Sequence, residues 1–154
     1  MSQLGSRVAA CVTVIRSPGE VLLVRRMAHQ TAGGQWAVPG GKLEKGDLTV
    51  AAAAQRELYE ETGLRARVEN NPFFVHPIGR SYVLHHFWAV DVYNLFSDAR
   101  ASNDAEQLAW IPLETVLADR SDKFVPMLNA VLTAALDRLK RGKCRYPTER
   151  AVGM

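Results

Sequence analysis

A chain of 154 residues with 47% hydrophobic and 23% charged residues has the composition of an ordinary globular domain, and its length favours one domain. The net charge is only +3, and no lysine-rich run or basic–aromatic interleaving marks a nucleic-acid surface. Two cysteines lie far apart without metal-ligand spacing, the N-terminal segment Met1–Arg7 lacks an apolar core of signal-peptide length, and no stretch is long enough for a membrane span. We therefore expect a cytoplasmic protein without structural zinc, nucleic-acid partner or membrane partner.

The first forty residues predict a β-hairpin, a further short strand and a glycine-rich turn. Val8–Ile15 and Val21–Val24 are apolar and rich in β-branched residues, and the turn sequence Ser-Pro-Gly-Glu separates them. Trp36–Val38 is the next short strand. The segment Pro39–Gly41 follows it and predicts a sharp turn whose backbone can approach a ligand closely.

An α-helix is predicted over Val50–Thr62. Four consecutive alanines favour the helix, Thr49 is suited to be its N-cap, and Gly63 supplies a C-terminal stop.

The second half of the chain predicts further strands, two helices and a loose tail. The strands are Arg65–Val75, Tyr82–Val92 and Leu108–Ile111, the polar loop is Asn94–Ala105, the helices are Pro112–Leu117 and Phe124–Leu139, and the tail is Gly142–Met154. Strands with helices covering the sheet predict an α/β sandwich.

Three carboxylates on the first predicted helix are the most informative feature. Glu57, Glu60 and Glu61 have the spacing that places side chains on one face of a helix, where like charges repel one another. A cation among them would relieve that repulsion, and ligands that are all oxygen favour a hard ion such as Mg²⁺ or Mn²⁺. The pattern therefore indicates a divalent-metal site.

The segment from Gly41 to Leu64 resembles the signature of the Nudix hydrolases, Gx5Ex7REUxEExGU, in which U is a bulky aliphatic residue. The matching residues are Gly41, Arg56, Glu57, Leu58, Glu60, Glu61, Gly63 and Leu64. Two departures occur: Asp47 replaces the first glutamate, and eight rather than seven residues separate it from Arg56. We expect Leu48 to absorb the extra residue, and Glu44 is positioned to substitute for the missing glutamate.

The resemblance covers about residues 7–141 and implies an α/β/α sandwich with a mixed central sheet, in a single domain spanning 1–154. It implies an Mg²⁺-dependent pyrophosphohydrolase, with Mn²⁺ as the other suitable ion, that acts on a small nucleotide. ADP-ribose or a related nucleoside diphosphate sugar is slightly favoured over a nucleoside triphosphate. A catalytically silent Nudix fold used for binding is the alternative from another class. A homodimer is compatible with this interpretation.

By the same resemblance, Glu57, Glu60 and Glu61 bind the metal together with the carbonyl of Gly41, and Glu57 and Glu60 are also catalytic. Arg56 orients a catalytic glutamate, although an ordinary surface pair with Glu60 is the alternative. Glu106 lies where many family members carry an acidic residue that binds metal or acts as general base; a solvated loop carboxylate is nearly as good an interpretation.

Three residues are candidates for substrate binding. Arg25 could face phosphate or be an exposed charge at a strand end, and Trp36 could stack on a base or lie in the core. His85 and His86 are adjacent in a predicted strand, so their side chains point to opposite faces and cannot share a metal. His85 is the member of this pair that we predict to contact substrate. Substrate choice is expected to depend on two loops, Met27–Gln35 and Asn94–Ala105.

Overall fold

The structure, a computed structural model, describes residues 7–27, 33–95, 99–101 and 105–150. Within those ranges lie ten strands and three helices. The elements are β1 (Arg7–Thr13), β2 (Ile15–Arg16), β3 (Glu20–Arg26), β4 (Trp36–Ala37), β5 (Gly40–Lys42), α1 (Val50–Thr62), β6 (Arg65–Val68), β7 (Phe74–Ile78), β8 (Tyr82–Tyr93), β9 (Ala105–Pro112), α2 (Leu113–Ala118), α3 (Leu128–Lys140) and β10 (Thr148–Arg150).

Strand β8 is the centre of the larger, mixed sheet. It pairs in parallel with β1 and β10 and antiparallel with β6 and β7, and β5 extends this sheet by pairing antiparallel with β1. The smaller sheet is antiparallel and joins β3 to β2, β4 and β9. Residues 28–32 of the predicted loop Met27–Gln35 are outside the described residues, as are 96–98 and 102–104 of the second predicted loop.

Helices cover both faces of the strands. Helix α1 packs its buried Ala53, Ala54 and Leu58 on one face, whereas α2 and α3 pack on the other face, where Trp88 and Ile15 lie. This arrangement confirms the predicted α/β/α sandwich with a mixed sheet. In the part of the chain that the structure describes, every helix is too short or too polar to cross a membrane.

Helix α1 has the bounds predicted from sequence because both of its ends are capped. Oγ1 of Thr49 accepts a hydrogen bond from the Ala52 amide at 3.0 Å. Gly63 adopts a left-handed conformation with φ of 78°, and its amide donates to the Tyr59 carbonyl at 2.8 Å. The caps fix where the helix starts and ends, and so fix the direction of its acidic face.

The predicted turn at Pro39–Gly41 is partly wrong, since Gly40 and Gly41 belong to β5. A Cβ atom on Gly40 would lie 2.6 Å from the Ala10 carbonyl oxygen and 2.7 Å from Sγ of Cys11. The glycine therefore lets β5 pair closely with β1, instead of only turning the chain.

Several other boundaries differ from the prediction. Val8–Ile15 is not one strand, because β1 ends at Thr13 and Ile15 belongs to β2 of the smaller sheet; only β2 forms the predicted hairpin with β3. Strand β9 begins at Ala105 instead of Leu108. Arg65–Val75 is not one strand, because the Asn70-Asn71-Pro72 segment separates β6 from β7 and proline lacks the amide that a ladder needs. The last helix begins at Leu128 instead of Phe124, since the backbone on either side of Phe124 is bonded to Trp36: the Lys123 carbonyl accepts from the Trp36 amide, and the Val125 amide donates to the Trp36 carbonyl.

The segment after α3 is not the loose tail that the sequence predicted, at least to Arg150. Cys144 is buried, and Nε1 of Trp88 donates to the Arg145 carbonyl at 2.9 Å. Strand β10 then pairs with Asp91–Tyr93 of β8. Its own side chains are exposed, so backbone pairing holds the segment and hydrophobic periodicity could not reveal it.

Candidate active site

The acidic face of α1 lies against the glycines of β5. A Cβ atom on Gly41 would lie 2.5 Å from Cδ and from Oε2 of Glu57, closer than real Cβ contacts allow. The Glu57 carboxylate thus occupies the space that any other side chain at position 41 would need. Gly41 is required here for the close approach of a side chain.

Three carboxylates converge beside this contact. Glu44, Glu57 and Glu60 each offer one oxygen, and these oxygens lie within 4.8 Å of one another. Oxygens that share one Mg²⁺ are at most about 4.2 Å apart, because each lies about 2.1 Å from the ion. All three donors are carboxylate oxygens, the ligand type that a hard divalent cation prefers.

The guanidinium of Arg56 connects this group to the preceding loop. Its Nε and Nη2 donate to the two carboxylate oxygens of Asp47 at 2.9 and 3.0 Å. Its Nη1 donates to Glu57 at 3.1 Å and to Glu60 at 3.0 Å. The hydrogen bond to Asp47, more than any other interaction, raises the pKa of Arg56 above its ordinary value. The pair with Glu60 therefore exists, but as one contact of a larger network.

Asp47 reaches Arg56 despite its shorter side chain. Its own amide donates to the Glu44 carbonyl at 3.0 Å, and its Oδ2 accepts from the Glu44 amide at 2.8 Å. The hydrogen bond from Arg56 holds the pKa of Asp47 below its usual range. Leu48, the residue expected to absorb the extra position, is 94% exposed, and its side chain lies outside the network.

Glu61 lies deeper than the other acidic residues. It is 6% exposed, and its Oε1 accepts from the Gly40 amide at 3.3 Å. Burial, followed by a hydrogen bond with Glu57 and the Glu57 charge, raises the pKa of Glu61 to about 9. Burial also raises the pKa of Glu57. Two adjacent buried carboxyls hold a proton between them unless a cation neutralises them. Glu61 was predicted as a metal ligand, but it is not in the three-carboxylate group.

Arg25 and Glu106, predicted separately as site residues, form an ion pair with each other. They lie on the paired strands β3 and β9. Glu106 is not part of the three-carboxylate group found among the described residues. Arg25 has a buried Nε without a hydrogen-bond partner in the described part of the chain.

The two other predicted substrate contacts lie on opposite faces. Trp36 packs against the cluster that α3 covers, which favours the core interpretation. His85 and Gly41 both pair with Ala10, from opposite sides, so they share the face on which Glu57 lies. Two strand spacings put the His85 backbone about 10 Å from that of Gly41.

Two features escaped the sequence prediction. Glu44 was considered only as a substitute for the missing glutamate, yet it belongs to the convergent carboxylates; its place in the glycine loop was the available signal. His76 and His86 form a buried pair, with 3.0 Å between their Nε2 atoms. They lie ten residues apart on different strands, so no local pattern could have paired them.

Comparison with known proteins identifies the family. Residues 5–128 match the family model described as NUDIX domain. A MutT-like protein of Streptomyces ambofaciens is 39% identical over 62 residues, a match that covers 40% of this chain and only 37% of that protein. The ORF135 protein of E. coli, solved in solution, is 25% identical with a TM-score of 0.71, over 93% of this chain and 96% of that one.

A second similar structure is larger than this chain. It is a bifunctional NMN adenylyltransferase/ADP ribose pyrophosphatase from Francisella tularensis, in complex with AMP and a manganese ion. It is 26% identical, with a TM-score of 0.66, over 86% of this chain and 42% of that one. With the family model covering most of the chain, the protein belongs to the NUDIX family, as its signature indicated.

Proposed function

We propose that the protein is a divalent-metal-dependent pyrophosphohydrolase that cleaves the diphosphate of a nucleoside diphosphate linked to another group. The observation that carries this proposal is the convergence of Glu57 and Glu60 beside Gly41, with Arg56 oriented between them, in a chain of the NUDIX family. Residues in this arrangement can hold a metal and a diphosphate together.

Mg²⁺ is the proposed ion, with Mn²⁺ as a substitute. Glu57 and Glu60 would hold it, with the Gly41 carbonyl and Glu61 as the further ligands implied by the family signature. When bound, the ion supplies neutralisation of phosphate charge and lowers the pKa of a bound water. The all-oxygen donor set and the buried, mutually repelling carboxylates support a hard divalent cation here.

The chain's own residues have two further tasks. Arg56 holds Glu57 and Glu60 in fixed orientations while Asp47 holds Arg56, so the carboxylates do not have to be ordered when substrate binds. The attacking water loses its proton to a glutamate, for which Glu57, Glu60 and Glu106 are the candidates. Water attack at phosphorus breaks the bond to the bridging oxygen and releases a nucleoside monophosphate and a second phosphorylated product.

ADP-ribose or a related nucleoside diphosphate sugar is the slightly favoured substrate, and nucleoside triphosphates are the second candidate. The similarity to a bifunctional protein whose name includes ADP ribose pyrophosphatase supports the first. Arg25 and His85 are the proposed substrate contacts, and His85 has the stronger support because it shares a sheet face with Gly41.

A substrate panel with Mg²⁺ and chromatography of the products tests the proposal. ADP-ribose should give AMP and a sugar phosphate, whereas a nucleoside triphosphate should give the monophosphate and pyrophosphate. Predominance of the second set would select the second candidate. Release of neither set from a protein that binds Mg²⁺ would favour a catalytically silent binding protein.

Variants of the acidic face provide the residue-level test. Glu57→Gln and Glu60→Gln should each lower the rate by about 10²–10⁴, the range for a positioned catalytic group, while the fold is retained. Glu114→Gln, at an exposed glutamate of α2, is the matched control and should leave the rate unchanged. Near-wild-type kcat in both site variants at saturating Mg²⁺ would show that the site is assigned incorrectly.

A further inference from the structure

Three side chains of the larger sheet meet on the face opposite helix α1. Arg7 of β1 pairs in register with Tyr82 of β8, and Lys42 of β5 pairs with Ala9, two residues after Arg7. Residues paired in register project from the same face of a sheet, as do residues two apart in one strand. Helix α1 covers the other face, because Gly41 lies against its acidic side. Arg7, Lys42 and Tyr82 form what we call the back-face cluster.

The two cations of the back-face cluster converge on one phenol. The side chains of Arg7 and Lys42 both donate to the Tyr82 hydroxyl, and these hydrogen bonds, that of Arg7 first, lower the pKa of Tyr82 below its ordinary value. Nζ of Lys42 lies 5.2 Å from the centroid of the Tyr82 ring. Arg7 and Lys42 are both exposed. The cluster is therefore open to a ligand that arrives from solvent.

No carboxylate of the described residues relieves the repulsion between these two cations. Neither Arg7 nor Lys42 forms an ion pair within the described ranges. The acidic residues that follow in the loop, Glu44 and Asp47, face Arg56 instead. Like charges that are brought together repel one another unless an opposite charge joins them. The convergence of the two cations therefore points to an anion.

The back-face cluster also has hydrogen-bond donors in excess. A phenol donates one hydrogen as well as accepting, and both described partners of the Tyr82 hydroxyl are donors, so its own hydrogen is free for an acceptor from outside the chain. Arg80 adds an exposed cation in the turn between β7 and β8. This turn is attached to the cluster, since the Ser81 carbonyl accepts from the Arg7 amide at 2.9 Å. A ligand with several acceptor oxygens and negative charge matches these donors.

We propose that Arg7, Lys42 and Tyr82 bind a phosphate group on the sheet face opposite the acidic helix. A phosphomonoester carries about 1.5 to 2 negative charges near neutral pH, which two cations complement, whereas one carboxylate would leave a positive charge uncompensated. Inorganic phosphate offers the same chemistry. Because the sheet lies between the back-face cluster and helix α1, this is a second site, and it does not depend on the function proposed above.

Titration of the full chain with inorganic phosphate, followed by NMR of the backbone amides, tests the proposal. EDTA is present throughout, and chloride keeps the ionic strength constant. We expect saturable shifts of the amide signals of Arg7, Lys42 and Tyr82, while the signals of Glu57 and Glu60 on the opposite face stay in place. Shifts confined to α1, or no saturable shift in the back-face cluster, would overturn the proposal.

Substitutions in the back-face cluster provide the second test. Arg7→Gln and Lys42→Gln should each weaken phosphate binding about 5-fold, the upper end for an exposed ion pair. Tyr82→Phe should weaken it about 2–10-fold through the lost hydroxyl. Lys140→Gln removes the same charge at an exposed position of α3 and is the matched control, which should bind like the wild type. Wild-type affinity in both Arg7→Gln and Lys42→Gln would overturn the proposal.

AMP, titrated in the same way, distinguishes two sources of the phosphate group. If Arg7→Gln weakens the binding of inorganic phosphate alone, the site takes free phosphate. If Arg7→Gln also weakens AMP binding, and the wild type binds AMP more tightly than inorganic phosphate, the site takes a phosphomonoester. If Arg7→Gln changes neither affinity, the proposal is overturned. Since EDTA is present, these results stand whether or not the protein hydrolyses nucleotides.

Discussion

At the scale of single residues, the site depends on the absence of a Cβ atom at Gly41 and on the side chain of Arg56. Gly41 has no Cβ, so the Glu57 carboxylate can lie against the backbone of β5. The planar guanidinium of Arg56 donates separate N–H groups to the carboxylates of Asp47, Glu57 and Glu60. A lysine at position 56 would offer a single ammonium group and could not donate to the three carboxylates in the same planar arrangement.

Gly41→Ala should displace the Glu57 carboxylate, because the added Cβ would lie 2.5 Å from its atoms. We expect kcat/KM to fall by about 10²-fold or more, the lower limit for loss of a positioned catalytic group, together with weaker Mn²⁺ binding. Gly46→Ala is the matched control in the same loop, since nothing lies within 4 Å of its Cβ position. Equal activity of the two variants would contradict a role for the Gly41–Glu57 contact.

At the scale of elements, contacts with helix α1 hold the loop that precedes it. Asp47 is anchored to Arg56 in the second turn of the helix, and Thr49 caps the first turn. Leu48 between them points into solvent. The additional residue therefore changes neither the anchor nor the cap.

Deletion of Leu48 restores the spacing of the family signature. It tests whether the extra residue lies at the surface without affecting the site. We expect metal affinity to stay within about 10–100-fold of the wild type, the range for groups around a metal site. Leu48→Ser is the control and should have no effect, because the side chain is 94% exposed. A folded deletion variant without any activity would show that the loop has been rebuilt around the insertion.

Local signals explain why some elements were predictable and others were not. Helix α1 carries its own caps and an uninterrupted run of helix formers, so its bounds follow from residues 49–63 alone. Strand β5 and strand β10 have no such signals: one is Gly-Gly-Lys and the other is fully exposed. Both exist because a distant strand pairs with them, and pairing partners cannot be read from a single sequence.

The same distinction holds for the site. Helical spacing predicts Glu57, Glu60 and Glu61 as site residues, and the family signature predicts Arg56. The inclusion of Glu44 and the pairing of Arg25 with Glu106 depend on how loops and strands meet in space. The depth of Glu61 likewise follows from the packing of α1 on β5.

At the scale of the whole molecule, the larger sheet carries a buried pair of histidines, His76 on β7 and His86 on β8. His76 and His86 are 5% and 3% exposed, and Nδ1 of His86 has no hydrogen-bond partner among the described residues. Burial, with smaller effects of His76 and His85, lowers the pKa of His86 to about 3. The folded protein therefore keeps this imidazole neutral in weak acid.

The free energy of unfolding should fall as the pH drops below about 6.5, because the unfolded chain then protonates His86 and the folded protein does not. The loss continues down to about pH 3, where the folded state also takes up the proton. Between pH 7 and pH 5, wild type should lose about 2 kcal/mol more than His86→Gln. Urea unfolding of both proteins in EDTA at the two pH values measures the difference, and parallel losses would contradict the prediction.

The parallel pairing of β1 with β8 has a consequence for how the chain folds as it is made. Arg7 pairs with Tyr82, so β1 leaves the ribosome 75 residues before its partner. At about 5–20 residues per second, this delay lasts about 4–15 s. The acidic helix is already synthesised during that interval, but one edge of β1 stays unpaired. An unpaired apolar strand can join another chain, so we expect the nascent protein to need protection from aggregation until β8 emerges.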